Sequence, residues 1–305
     1  MKKINPLNVN LIKKKTFVTL KKFITNLYVL IFLYGFFLAL FINYKEHEIY
    51  VSTVFDSLSA NLLKNVSSHN EDSIVIKALN TTYFLLKSRE PFFNNESKTN
   101  IVTADFYSSA IEDLISSPGY CGSYTNVLAR LLQDMHFSVR IAQMKVGEKN
   151  GGHIIMEVLT RKGWVVLDPY YDLYFKNPLG NLASFNDVSS NWKLYKHQIP
   201  VSYDLSYNYK GVSYTNWKKI PVIMPLIKDV LDLIVGKRKA DEISLRPYFL
   251  STSKVYSNAL FFILLILSGY IILLRKRKLI FSVFKQSFIA YSSYKIKSKS
   301  IVTRS

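Results

Sequence analysis

Two uncharged apolar runs constrain this chain more than any other feature. Phe23 to Ile42 is 20 residues without a charge, long enough as a helix to cross a hydrocarbon core of about 30 Å. Val255 to Leu274 repeats the pattern and stops at Arg275-Lys276-Arg277-Lys278. Transmembrane helices are therefore expected at residues 23–43 and 255–274. For the first run the alternative is a secretory signal peptide, whose apolar region is shorter and ends in a small-residue cleavage site. Ala39 is the only alanine there and Phe41-Ile42-Asn43-Tyr44 is bulky, which favours an uncleaved anchor.

The charge follows the same division. Of a formal net charge of +19, Lys and Arg supply seven in residues 1–22 and nine in residues 275–305, and neither tail holds an acid, which leaves about +3 between them. A basic chain raises nucleic acid as a partner, but here the excess sits in two tails beside apolar segments. It reads as topology, and no nucleic-acid partner is expected. Positive residues stay on the cytoplasmic side. Both basic tails are thus expected inside, and residues 44–254 form an extracytoplasmic domain of an integral membrane protein.

That domain contains the chain's one cysteine, Cys121. Pro118-Gly119 reads as a turn, and Leu128, Leu131, Leu132 and Met135 follow Cys121 at helical spacing. The thiol is thereby placed at a helix N-terminus, where unpaired amides and the helix dipole favour thiolate over thiol. A lone thiol in an oxidising compartment has no partner in the chain and is open to oxidation. A buried structural cysteine is the plain alternative.

The domain reads as helices followed by strands. Apolar spacing predicts helices over 49–66, 73–86 and 104–115, with a loop at 88–100. After the cysteine helix, Ser138 to Val146 alternates as a strand with one buried face. A loop is expected at 147–152, a second strand from His153 to Leu159, a tight turn at Arg161-Lys162-Gly163, and a third strand from Trp164 to Asp168, ended by Pro169. In such a meander the start of one strand lies beside the end of its partner, so His153 and Asp168 are expected to be neighbours. Residues 170–214 are rich in Tyr, Asn and Ser without a period and read as a segment that wraps the core and lines a cleft. Ile220 to Val235 is apolar but broken by Pro221, Pro225, Lys228, Asp229 and Asp232, and reads as a juxtamembrane or core helix.

Cys121, His153 and Asp168 have the three chemistries of a thiol acyl-transfer site. A thiolate attacks an acyl carbon, an imidazole moves protons, and a carboxylate fixes the imidazole. The Cys121 amide at the helix start is a natural oxyanion donor. His47, His69, His136 and His197 lack such surroundings, His153 taken alone could be an ordinary strand-start residue, and Asp168 before Pro169 could be only a turn former. One Cys and one nearby His fall short of the ligands zinc requires. No metal or cofactor is expected.

The order Gly119-Tyr120-Cys121, helix to Leu132, Val139-Arg140, Gly152-His153 with Glu157-Val158, and Gly163-Trp164-Val165-Val166-Leu167-Asp168-Pro169 resembles the transglutaminase-like superfamily, over about residues 104–170. The resemblance implies an α+β, papain-like core of helices packed on an antiparallel sheet, here between two transmembrane helices. It also implies Cys121 as nucleophile, His153 as base and Asp168 as orienting acid. The chain departs from the pattern at His136, where the family usually has Gly, and at Ile155, where a Trp often follows the histidine. Tyr120, Tyr124, Tyr170 and Tyr171 are candidate aromatic walls in its place.

The expected function is a membrane-anchored thiol enzyme acting on amide bonds of a protein or peptide through a Cys121 thioester, released by water as a peptidase or amidase, or passed to an amine. The alternative is a non-catalytic binding or scaffold module of a cell-envelope complex with envelope protein partners. A reporter that is active only outside the cytoplasm is expected to stay silent when fused after Ser305. Activity there would overturn the inside placement of the C-terminal tail.

Overall fold

The fold is described from a computed structural model, which covers residues 25–64, 70–93, 109–116, 120–146 and 149–276. The basic tails, the Pro118-Gly119 turn and the first part of the expected helix at 104–115 lie outside them. The chain divides into two compact units, residues 1–46 with 253–305, and residues 47–252.

In the first unit, the opening part of helix α1 (Leu27–Leu63) and the last helix, residues 252–276, are both long and apolar enough to cross a membrane. Their aromatic rings meet there: Phe41 lies 6.2 Å from Phe261 and Tyr44 lies 5.1 Å from Tyr256, centroid to centroid. Helix α1 runs 37 residues without interruption, so the apolar run and the expected helix at 49–66 are one element. Residues 43–48 contain charges but no Gly or Pro, and charges alone do not break the backbone ladder.

The second unit is α+β. Helix α2 (Glu71–Lys87) starts where the Asn70 side chain accepts from the Ser73 amide at 3.1 Å. Helix α3 (Glu90–Phe93) stands where a loop was expected, and α4 is Ala110–Ser116. Helix α5 (Cys121–Asp134) leads into a five-stranded antiparallel sheet of order β4-β3-β2-β1-β5. Its strands are β1 (Ser138–Val146), β2 (Lys149–Thr160), β3 (Gly163–Asp168), β4 (Leu173–Tyr174) and β5 (Val212–Ser213). The first three were legible in the sequence, β1 by alternation and β2 and β3 as apolar runs bounded by turns. Strand β2 begins four residues earlier than read, because Lys149 and Asn150 continue the pairing with β1 past an irregularity at Met144/Lys145. Strands β4 and β5, two residues each, are too short to show a period.

Two apolar layers sandwich the sheet. On one face α2, α4 and α5 supply Leu79, Leu114, Leu128 and Leu132 against Ile141, Met156, Val158 and Leu167. On the other, Ala142, Met144, Ile155 and Val166 are covered by Phe175, Phe185 and Tyr209 from the segment read as a wrap. This segment includes α6 (Phe185–Ser190), held by a capping box between Ser184 and Asp187, and α7 (Trp192–Tyr195). Helices α8 (Ile223–Val235) and α9 (Lys237–Asp241) follow, and the last apolar helix is α10.

Two connections depend on a single residue. His136 ends α5 with φ 66°, and the Phe137 amide reaches back to the Leu132 carbonyl at 2.9 Å. This left-handed closing position favours glycine, which accounts for a glycine being the usual residue after such a helix. Farther along, the chain returns to β1, where the Ser244 hydroxyl accepts from the Ile141 amide at 3.0 Å and donates to the Ile141 carbonyl at 2.8 Å. Both residues are buried. Ser244→Ala leaves two buried backbone groups unsatisfied and is expected to cost about 1–3 kcal/mol, read as a lower midpoint of denaturant unfolding for the full chain in detergent. An unchanged midpoint would show that the strand edge does not depend on that hydroxyl.

Candidate active site

Cys121 is the first residue of α5 and half-buried. The helical ladder opens with the Ser123 and Tyr124 amides donating to the Tyr120 carbonyl, so the Cys121 and Gly122 amides precede it. The buried Thr125 hydroxyl lies 2.8 Å from the Cys121 carbonyl and 3.2 Å from the Ile154 carbonyl. One side chain thus ties the first turn of the cysteine helix to the strand residue beside His153.

The β2–β3 ladder ends at Met156 opposite Leu167. Continuing the register places Asp168 opposite Ile155, one diagonal step from His153 on the same face. There the His153 Nε2 and Asp168 Oδ2 are 2.7 Å apart, with both residues 1 % exposed. Asp168 Oδ1 has no hydrogen-bond partner among the described residues, so the imidazole is the principal answer to a buried carboxylate. Because Asp168 occupies Nε2, Nδ1 is the ring nitrogen left for the Cys121 thiol, which lies near enough to His153 for each to shift the other's titration. The three expected residues are therefore brought together.

The electrostatics of the pair move in opposite directions. Burial alone lowers the proton affinity of His153, but the adjacent Asp168 charge and its hydrogen bond, with those of Cys121, outweigh burial and raise the pKa to about 9. Burial alone raises the Cys121 pKa, but the hydrogen bond and charge of His153, with a further hydrogen bond from the Ile154 backbone, bring it below the ordinary thiol value. Between these two titrations the stable form is thiolate beside imidazolium.

By parity His153 and Asp168 belong to the face covered by residues 173–214, whereas the thiol arrives from the helix on the other face. This explains why a tyrosine from the wrapping segment contacts the histidine. The Tyr207 ring is stacked on the imidazole at 4.4 Å and 10°. Tyr171 and Tyr170 meet the same imidazole at 5.7 and 6.1 Å. Of the four tyrosines proposed as walls, Tyr170 and Tyr171 take that place and Tyr120 is exposed beside the thiol. Tyr124 does not: it is fully buried, and its hydroxyl donates to Glu90 at 2.6 Å.

Two glycines make close approach possible. A side chain at Gly152 would bring its Cβ within 2.6 Å of Val146, and one at Gly122 within 3.1 Å of the Arg246 guanidinium. Arg246 donates to Asn126 Oδ1 at 3.1 Å, and Asn126 donates to Asp113 at 2.7 Å. This chain of polar groups braces the cysteine helix from residues far away in sequence. Neither Arg246 nor Tyr207 carries a spacing signal that would have singled it out.

The resemblance's other residues form a separate cluster. Arg140 is paired with buried Glu157 at 2.7 Å and lies between the rings of Trp164 and Tyr214, at 4.2 and 4.4 Å. Tyr214 donates to the same carboxylate at 2.5 Å. Among the described residues no group of three or more His, Cys, Asp or Glu side chains gathers as a metal would require. No family model, curated protein or solved structure matches the chain.

Stacking on an aromatic face favours the imidazolium. Tyr207→Leu is therefore expected to lower the His153 titration by about half a pH unit, from an aromatic contribution of about 0.5–1 kcal/mol, whereas Tyr207→Phe leaves it in place. NMR of 15N-labelled histidine, with His153→Ala used to assign the signal, measures the shift. A titration unmoved by Tyr207→Leu would remove Tyr207 from the electrostatics of the site.

Proposed function

We propose that this chain is a membrane-anchored thiol enzyme of transglutaminase-like type that acts on amide bonds through a Cys121 thioester. The observation that carries this reading is the buried His153–Asp168 contact joined to a cysteine at a helix start. A helix bearing the nucleophile and packed on an antiparallel sheet, with the base and acid on adjacent strands, fits the papain-like arrangement that the resemblance implies. On this reading α1 and α10 anchor the enzyme in the membrane, both basic tails are cytoplasmic, and the catalytic unit faces outward toward polypeptides of the cell surface or envelope.

The reaction follows from the groups present. The Cys121 thiolate adds to the amide carbon, and the carbonyl electron pair moves to oxygen, where the Cys121 amide is the first donor. As the carbon–nitrogen bond breaks, the imidazolium gives its Nδ1 proton to the leaving amine, leaving a thioester and neutral His153. Water or an amine then loses a proton to His153 as it attacks the thioester, the carbon–sulfur bond breaks, and the ion pair is restored. Asp168 keeps Nε2 protonated throughout, so that only Nδ1 exchanges protons with the reactants.

The pH dependence has a defined sign. Below the lowered Cys121 titration the nucleophile is protonated; above about 9 the imidazolium that protonates the leaving amine is lost. Acyl transfer is expected to be bell-shaped, with an alkaline limb near 9 that moves down in Asp168→Asn, because the raising charge is gone. Alkylation of the full chain by iodoacetamide is expected to rise with a midpoint below the ordinary thiol value of about 8.5. Incubation with p-nitrophenyl acetate is expected to leave an acetyl group on Cys121 by mass spectrometry, and His153→Ala to suppress it. A thiol that titrates near 8.5 and takes no acetyl group would refute the enzyme reading in favour of a binding module.

A further inference from the structure

Helix α8 is turned the wrong way for a helix in water. Ile223, Leu226, Ile227, Val230, Leu233 and Ile234 lie at i, i+3, i+4, i+7, i+10 and i+11, which aligns them as one stripe. They are 55, 62, 39, 48, 87 and 70 % exposed, and no residue of the helix is buried. The charges lie away from the stripe. Lys228 reaches Asp232 at 3.1 Å and Asp241 at 2.7 Å and sits over the Trp217 ring at 5.6 Å. The helix thus pairs its charges with its immediate neighbours, Trp217 and Asp241, and leaves its apolar stripe exposed, as a core helix would not. Monomeric domains rarely leave so continuous an apolar face in water.

The ends of the helix indicate what covers it. Trp217, Lys218 and Lys219 precede it, and exposed Lys237, Arg238 and Lys239 follow the turn at Gly236. An apolar stripe with cations at both ends suits the boundary between acyl chains and anionic headgroups. A second copy of the chain suits it less well, since pairing two such helices in either direction brings cation clusters together. Residues 236–251 alone join α8 to α10, so the stripe belongs to a stretch tethered by a short length of chain to a helix able to span a bilayer.

We propose that α8 lies in the plane of the bilayer surface with the Ile223–Ile234 stripe among the acyl chains and its flanking cations on anionic headgroups. It is a third membrane contact, and one that does not span. The inference rests on the proposed membrane anchoring by α1 and α10, and the test separates the two.

Single cysteines at Leu226→Cys, Val230→Cys, Leu233→Cys, Asp229→Cys and Ile263→Cys are placed in full-length Cys121→Ser protein. They are spin-labelled in nanodiscs containing phosphatidylglycerol and tested for collision with oxygen and with a water-soluble nickel chelate. Labels at 226, 230 and 233 are expected to lose nickel collisions and gain oxygen collisions as the α10 label at 263 does, while the label at 229 stays open to nickel. Changing Lys237, Arg238 and Lys239 together to Gln is expected to restore part of the nickel access at 226 and 233. If 263 reports lipid while the stripe labels are as open to nickel as 229, the helix is in water and the proposal fails. Stripe labels closed to both reagents would mean a protein cover, a second copy included, and also overturn it. A label at 263 open to nickel would remove the spanning helix and the bilayer contact with it.

Discussion

A carboxylate buried to 1 % exposure whose side chain has one hydrogen-bond partner among the described residues is the constraint on which the rest of this site depends. An isolated buried charge is costly, and here the compensation comes from a single imidazole. His153 must therefore stay close to Asp168 and is favoured in its protonated form, which in turn favours thiolate at Cys121. The Tyr207, Tyr170 and Tyr171 rings exclude water from that pair, which strengthens each interaction within it. The same exclusion makes the pair intolerant of displacement.

Much of this was legible because it obeys local rules. The cysteine helix declared itself by Leu128, Leu131 and Leu132, and the meander by alternation in 138–146 and by the turn at 161–163 and Pro169 that bound 164–168. A hairpin then dictates that the beginning of β2 approaches the end of β3, so the proximity of His153 and Asp168 followed from pleat and register alone. The two membrane-length helices were legible for a different reason, since 20 uncharged residues leave few alternatives to a spanning or fully buried helix.

What escaped the sequence depends on distant parts of the chain. Tyr207 reaches His153 because residues 173–214 cover the second face of the sheet, and a segment with two-residue strands and one-turn helices shows no period. Arg246 meets Gly122 across more than a hundred residues, with only the glycine's missing side chain to hint at it. Tyr124 is a candidate wall by proximity in sequence alone, which does not show that its ring is fully buried and its hydroxyl tied to Glu90. The unbroken length of α1 shows that charged residues are no boundary to a helix, since they leave its backbone hydrogen bonds intact and no proline follows to break them.

The assembly of the site from both faces of one sheet has a mechanical consequence. Cys121 is fixed by α5 on the first face, through Thr125 to Ile154 and through Asn126 to Asp113 and Arg246. His153 and Asp168 lie on the second face, under a tyrosine-rich segment whose anchor is a different apolar cluster. Neither cluster holds the ion pair by itself, and β2 is the element common to both. A change that loosens either face separates thiolate from imidazolium, and the lowered thiol titration then reverts toward the value set by burial alone. The lowered Cys121 titration is therefore a property of the packed sheet as a whole. The same helix N-terminus without β2 against it would retain only the dipole and lose the hydrogen bonds from His153 and the Ile154 amide that overcome burial.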